Sequence, residues 1–468
     1  MVIDRAVPAK TTAPIVRPKL TWGTKFTYGF GDLASQLIWT TTGSYLALFY
    51  TDAVGLSAAA VSVLMLLARV LDAVIDPAIG AAAERTKSRF GRFRAWLIYG
   101  SPVLAVLMVL SFTTIPGSDV AKFIYAVVSY GLLGIAYSAV NVPYGALVGV
   151  MTADQQERVT LNSVRMIGTN IGVVLLSALT LPLILTFSGT GHNETGTVQG
   201  YTWTAVVMSV IALPMFLAVA FKSKELVRPV ASTRVPIRKT IHVVVGNRPL
   251  MLIFLMMLLS MTGFFGRLGI VVYYYIYAVG RIDLVSVFMA APALAGAVGI
   301  ALFTPLTRRY GKRLMACMSL VAQGLSLIAV YVIGPTNVTG TIVALVVYGL
   351  VSFNGPIIWS MVPDAIDYAE DRSGVRADGT SYAVISFAQK VGNAIGGAAG
   401  VAAIGALGYI ANAHQSPEAI NGMNLVSNLV PAFFAFAAII PFFFYKLSDA
   451  QNHDIRERLD TASLQPAK

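Results

Sequence analysis

The chain has little charge, only four histidines and a single cysteine. Asp, Glu, Lys and Arg make up 12% of its 468 residues, about half the share carried by a soluble domain. Cys317 has no possible partner within the chain, and the histidines show neither an HExxH motif nor Cys/His metal spacing. Thiol and metal-dependent chemistry are therefore not expected. No nucleophile stands beside a base, which speaks against a membrane-embedded enzyme, and no cofactor is expected beyond a coupling ion. What the chain has instead is apolar length. Stretches of about 20 residues, enough to cross a hydrocarbon core, recur from Phe26 to Tyr445 with only short polar breaks.

Hydropathy predicts twelve membrane-spanning helices near residues 26–50, 57–83, 95–115, 121–150, 160–187, 201–221, 249–279, 284–307, 314–334, 339–362, 380–411 and 423–446. An even number places both termini on one side. Of the 34 Lys and Arg, only Lys122 and Arg281 then fall in loops on the other side, and Arg69, Arg267 and Lys390 fall within predicted helices. The rest lie on the side of the termini, which reads as the cytoplasm because cytoplasmic loops carry the excess of basic residues. The formal charge of +12 is thus accounted for by topology, and no nucleic-acid partner is needed. Residues 1–25 lack the short apolar core and small-residue cleavage site of a secretory leader and are expected as a disordered cytoplasmic tail. Residues 26–221 and 249–446 form two six-helix halves, joined by a basic cytoplasmic segment at 222–248 and followed by a cytoplasmic tail at 447–468. A short basic loop follows both the second predicted helix (RTKSRFGRFR, Arg85 to Arg94) and the eighth (RRYGKR, Arg308 to Arg313). This repeat points to an all-α, twelve-helix major facilitator fold, in which two pseudo-symmetric halves rock around a site at mid-membrane.

An ionisable group inside the membrane costs a few kcal/mol and marks a polar cavity. The second predicted helix reads LLARVLDAVIDP, and offsets of three and four put Arg69, Asp72 and Asp76 on one face. Two carboxylates one turn apart suit a hard cation, which takes oxygen ligands, or a proton, since burial and a like-charged neighbour both favour a protonated carboxyl. An internal Arg69–Asp72 pair that only holds helices together leaves Asp76 unexplained. The fourth helix offers Ser138, Asn141 and Tyr144 around Pro143, which frees backbone carbonyls; interhelical hydrogen bonding is the plainer reading of Ser138. The eleventh offers Ser386, Gln389, Lys390 and Asn393 as a polar stripe. Lys390 needs a carboxylate, which the second helix can supply. In the first helix Asp32, Gln36, Trp39 and Thr40 occupy adjoining turns, a mixture suited to a sugar, whose hydroxyls need donors and acceptors while its ring face stacks on an aromatic. Trp39 lies about 20 Å along that helix at 1.5 Å per residue, deeper than an interfacial anchor. Arg267 is read as an answer to Asp32 or Asp76, as a substrate contact, or as a packing residue, and Arg165 as a group at the floor of the cavity or at the interface. The loop from Asp364 to Asp378 is expected to form a cytoplasmic gate paired with basic loops such as Arg85 to Arg94.

YGFGD, the run FYTDAVGLS into LLARVLDAVIDPAIG, RTKSRFGRFRAW, NVPYGAL and PDAIDYAEDRSGVRADG occur in that order. Together they resemble the glycoside-pentoside-hexuronide:cation symporter family, typified by the melibiose carrier, over nearly the whole chain. The resemblance implies that Asp72 and Asp76 bind the coupling cation with Ser138 as a hydroxyl ligand, that Lys390 couples cation to substrate, and that Arg165 and Ser386 meet the sugar. It also shows departures. Asn141 and Gln36 stand where that carrier has aspartates, and Gly145 and Gly355 where it has tryptophans, so a wider and less acidic pocket is implied, one more tolerant of an acidic sugar.

The expectation is cation-coupled symport, with H+ or Na+, of a sugar, glycoside, pentoside or hexuronide by alternating access in the cell membrane. The assignments are Asp72, Asp76, Ser138 and Asn141 to the cation; Asp32, Gln36, Trp39, Asn141, Tyr144, Arg165, Arg267, Ser386 and Lys390 to substrate; and Arg69 and Lys390 to coupling. The partners are a small-molecule sugar, the coupling cation and the bilayer, and the protein is expected to be a monomer. With a carboxylate lost at Asn141, protons are favoured over sodium. The alternative is transport of a lysolipid or another amphiphile.

Overall fold

In the computed structural model, residues 20–152, 154–189, 195–226, 243–375 and 377–464 are described. The described residues form helices and connecting loops with no strand. The N-terminal half comprises α1 (Trp22–Leu48), α2 (Ala58–Arg85), α3 (Arg94–Ser111), α4 (Asp119–Met151), α5 (Gln155–Ser188) and α6 (Val198–Lys222). The C-terminal half comprises α7 (Arg248–Leu268), α8 (Val285–Phe303), α9 (Lys312–Ile333), α10 (Val338–Leu350), α11 (Asn354–Ser373), α12 (Asp378–Ala406), α13 (Pro417–Asn424), α14 (Val430–Ala437) and α15 (Ile440–Phe444), with a final helix α16 (Asp449–Leu464). Side-chain oxygens of Thr21, Ser57, Ser118, Asp154, Thr197 and Asn247 cap the N-termini of α1, α2, α4, α5, α6 and α7, each satisfying a backbone donor with no partner inside its helix.

Ten helical stretches are long and apolar enough to cross a membrane, the pair α10–α11 counting as one broken span and α13 to α15 as another. The two expected spans outside that set are α1 and α12, in which Thr, Ser, Gly, Gln, Asn and Lys displace aliphatic residues. They are also the helices that carry most of the candidate substrate residues.

Packing fixes the order across the bundle. Leu71 meets Gly131, Asp72 meets Gly134 and Gly80 meets Val142; both sets of numbers rise together, so α2 and α4 run parallel. Against α12 the numbers run oppositely. Ala58 lies against Gly405, the Ser62 hydroxyl donates to the Ala398 carbonyl at 2.8 Å, and Asp76 meets Lys390. The two halves therefore share an antiparallel α2–α12 seam. A Cβ on Gly405 would come within 2.7 Å of the Ala58 Cβ, and such close backbone approach is what small residues allow between membrane helices.

The expected tail begins to fold earlier than its boundary, since Trp22 to Lys25 already belong to α1. Residues 1–19, most of the central basic segment (227–242) and residues 465–468 lie outside the described residues. The expected gate segment is helical rather than a loop as far as Ser373: Asp364, Asp367, Glu370 and Asp371 lie on the last turns of α11, and Arg376 lies outside the described residues. Asp364 pairs with Lys312 and accepts from Asn452 at 2.6 Å, Asp367 pairs with Arg456 at 2.8 Å, and Asp371 is held by Arg458 at 2.8 Å. Helix continues there because polar residues at a span end need no lipid, and α16 supplies the opposite charge. In the loop from Arg85 to Arg94, Glu225 accepts from the backbone N–H groups of Arg92, Phe93 and Arg94 at 3.2, 2.9 and 3.1 Å.

Candidate functional site

The polar residues of α1, α2, α4, α5 and α12 gather in two linked clusters. In the first, Arg69 Nη1 lies 3.4 Å from Asp72 Oδ2 within α2, and its guanidinium caps the Trp39 ring at 4.4 Å from the centroid. Trp39 in turn stacks on Tyr137 of α4 at 5.2 Å. One turn further along α2, Asp76 forms an ion pair with Lys390 of α12. The Arg69–Asp72 pair and the Asp76–Lys390 pair thus coexist, the first within one helix and the second across the halves. In both carboxylates Oδ1 is buried and has no hydrogen-bond partner among the described residues. A buried acceptor left unmade is costly, and each of these two oxygens has the capacity to accept a proton or ligate a cation. The parallel α2–α4 register, with Asp72 opposite Gly134, sets Ser138 opposite Asp76, one turn on in each helix. Ser138 is buried and Asn141 partly so.

The second cluster lies within the N-terminal half. Arg165 on α5 grips Asp32 on α1 in bidentate fashion, with Nε 2.6 Å from Oδ2 and Nη2 3.3 Å from Oδ1. The Tyr144 hydroxyl lies 3.1 Å from the same carboxylate and 2.8 Å from the Tyr28 carbonyl, while the Tyr28 hydroxyl donates to the Tyr144 carbonyl at 2.7 Å. Arg165 also covers the Tyr144 ring at 4.7 Å. Asp32, Gln36 and Trp39 share a face of α1 through their offsets of four and seven, which joins the two clusters; Gln36 accepts from Thr40 at 2.9 Å. On α12, Ser386, Lys390 and Asn393 share a face in the same way, and Asn393 lines a small space of about 30 Å³ with Trp39, Arg69, Tyr130 and Phe265, room for a single water.

Arg267 does not join either cluster. It is buried, donates to the Tyr275 hydroxyl at 3.1 Å and lies over the Tyr348 ring at 5.1 Å. The expectation that it answers Asp32 or Asp76 is corrected: Arg165 and Lys390 hold those carboxylates, and Arg267 is engaged by tyrosines of its own half. Sequence reading missed Tyr28, whose reciprocal bonding with Tyr144 fixes α1 on α4. Its signal is the position four residues before Asp32, on the same helical face. Sequence reading also passed over Asp52, which lies in the FYTDAVGLS run without an assigned role.

Residues 27–449 match the family model described as MFS/sugar transport protein. The chain is 34% identical over 448 residues to the uncharacterized symporter YnaJ of Bacillus subtilis, covering 94% of this chain and 95% of that one. It is 31% identical to the isoprimeverose transporter of Lactiplantibacillus pentosus, covering 95% and 93%. Its fold resembles that of a D-xylose-proton symporter crystal structure with a TM-score of 0.67 at 15% identity, covering 90% of this chain and 97% of that one. The fold is the major facilitator fold expected from twelve spans, and the protein is a multi-pass membrane transporter rather than an enzyme. With a sugar-transport model spanning nearly its full length and symporters among its relatives, the chain belongs to the glycoside-pentoside-hexuronide:cation symporter family of the major facilitator superfamily.

Proposed function

We propose that this transporter carries out proton-coupled symport of a sugar or glycoside across the cell membrane by alternating access, with both termini in the cytoplasm. The observation that carries the reading is the Asp76–Lys390 ion pair joining the two halves, beside two carboxylates that each keep a buried oxygen without a hydrogen-bond partner among the described residues. A proton suits these oxygens better than sodium. A sodium ion needs several oxygens at once, whereas Asp72 Oδ1 packs against the backbone of Gly134, and each carboxylate already faces a cationic side chain. Protonation of Asp76 weakens its hold on Lys390, which then turns toward substrate. Asp32, Arg165, Tyr144, Gln36, Asn141 and Ser386 supply donors and acceptors for hydroxyls, and Trp39 supplies a ring face. Proton occupancy raises substrate affinity, and linkage makes the effect reciprocal. One inward charge contributes about 2.3 kcal/mol per 100 mV, enough for tens-fold accumulation.

Side-chain exposure falls from 34% at Lys390 and 21% at Asp76 to 17% at Asp72 and 12% at Arg69, which supports a water path entering from the side of the termini. The test is uptake of labelled glycosides into reconstituted vesicles under an imposed pH gradient or an imposed sodium gradient. Accumulation driven by the pH gradient alone is expected. Accumulation driven by sodium with no proton movement would overturn the choice of ion, and absence of uptake across xylosides, galactosides and glucuronides, with uptake of a lysolipid, would overturn the substrate class.

A further inference from the structure

We infer that Asp52 is the latch of the outer gate, a positioning residue whose carboxylate ties the two halves together on the face opposite the termini. The latch belongs to the alternating-access part of the function proposed above. Asp52 ends the first span on a π turn, Phe49–Ala53, and the seventh span ends on a second π turn, Tyr274–Ala278. Such turns insert one residue into a helix and re-aim the side chains beyond it, and they concentrate at functional positions. Here they aim Asp52 and Tyr277 at each other. The Tyr277 hydroxyl donates to Asp52 Oδ2, and the Tyr409 hydroxyl, from beyond the end of α12, donates to Oδ1. Thr51 donates its one hydroxyl proton to Asp52 Oδ1 at 2.6 Å, so across the 2.9 Å contact with Tyr273 it is the tyrosine that donates. Asn412 Nδ2 donates to the Asp52 carbonyl at 2.7 Å, its backbone N–H donates to the Tyr277 oxygen at 3.1 Å, and its Oδ1 accepts from Thr195 at 3.0 Å.

Thr51, Asp52 and Thr195 belong to the N-terminal half, and Tyr273, Tyr277, Tyr409 and Asn412 to the C-terminal half, so five of these hydrogen bonds cross between them. Asn412 is the only non-glycine residue with positive φ among the described residues, at 53°. It is held in a backbone region that costs energy and persists where surrounding contacts enforce it. Asp52 is 8% exposed and has no ion-pair partner among the described residues. Beside the Thr51 hydroxyl of its own half, its charge is met by the Tyr277 and Tyr409 hydroxyls of the opposite half, and charge-assisted hydrogen bonds are the strong ones. When the halves part on this face, the carboxylate loses Tyr277 and Tyr409 together and must be hydrated. The latch therefore favours the conformation closed on this face and releases as a unit.

The experiment places a single reporter cysteine by Gly43→Cys in a Cys317→Ser background. At Gly43 an added Cβ meets only Leu268, at 4.0 Å. Right-side-out vesicles holding the full-length protein are treated with a membrane-impermeant maleimide from outside. Asp52→Asn, Tyr277→Phe and Tyr409→Phe are each expected to speed labelling on the order of tenfold, the population change that follows loss of one hydrogen bond to a charged group. Tyr125→Phe removes a hydroxyl on the same face whose 3.0 Å bond to Leu110 stays within one half, and is expected to leave labelling unchanged. If the two tyrosine variants label at the parent rate, or if Tyr125→Phe accelerates labelling as much as they do, the latch assignment is wrong. Labelling requires no substrate, so this outcome is separable from failure of the sugar reading.

Discussion

Lys390 of α12 reaches across the seam between the halves to Asp76 of α2, at the level where α2 also presents Asp72 one turn away. Replacing Lys390 with Ala leaves Asp76 without its cation. The expected result is loss of accumulation together with a stability loss of a few kcal/mol at most, because the pair is partly hydrated and an uncompensated charge in a fully buried pair costs about 3–5 kcal/mol. The double variant Lys390→Ala with Asp76→Asn is expected to regain part of that stability while remaining unable to accumulate. Thermal unfolding in detergent and uptake in vesicles measure the two effects, and equal melting temperatures for the single and double variants would count against the pairing.

Arg165 and Asp32 meet through two parallel hydrogen bonds, a geometry that lysine cannot reproduce. Arg165→Lys is expected to weaken sugar binding by about tenfold, the loss of one charge-assisted hydrogen bond, while leaving the protein folded. Calorimetric titration with the best transported glycoside reads this directly. Unchanged affinity would remove Arg165 from the substrate site.

Gly145 and Gly355 each face open space, with nothing within 4 Å of an added Cβ. Gly355 lines a space of about 240 Å³ with Ser260, Gln323 and Tyr348, and tryptophan there is expected to fold and to narrow it. Transport of a bulky aryl glycoside should fall by at least about tenfold relative to that of a free pentose, a discrimination worth about 1.4 kcal/mol. Competition between the two substrates in one vesicle preparation measures the ratio. Equal loss for both would mean that this space does not admit substrate.

Deletion of α16, by ending the chain at Ser448, strips Asp364 of Asn452 and Arg456, and Asp371 of Arg458. Asp364 is nearly buried, so a stability loss of about 1–3 kcal/mol is expected from its unmet acceptor. Asp364→Asn in the shortened chain should recover part of it. A melting temperature equal to that of the full chain would show that α16 is only a surface appendage.

The spans and the site were legible to different degrees. The twelve-helix order follows from length and hydropathy because lipid permits few other solutions. The charged triplet on α2 and the stripe on α12 could be read as facing inward because intramembrane charge is expensive on any other face. The partners were less accessible. That Lys390 takes Asp76 while Arg69 takes Asp72 depends on the antiparallel α2–α12 register, which no local pattern specifies. The sequence leaves Arg267 open between a carboxylate, a substrate contact and packing, because nothing local announces the tyrosine hydroxyl and ring that its own half brings to it. Asp364 to Asp371 reads as a loop because hydropathy falls there, although a helix end in water needs no apolar residues. Asp52 gains no role from sequence because two of its donors, Tyr277 and Tyr409, are 225 and 357 residues away, and the π turns that carry Asp52 and Tyr277 are not announced by composition.

The three ion pairs of the central region, Asp32 with Arg165, Asp72 with Arg69 and Asp76 with Lys390, sum to no net charge. In a vacant carrier returning between its two orientations these pairs thus do no work against the transmembrane voltage, and at this site the voltage acts on the step that moves a bound cation. Hyperpolarisation should therefore accelerate net entry while leaving the empty return stroke, and with it the ceiling on turnover, unchanged.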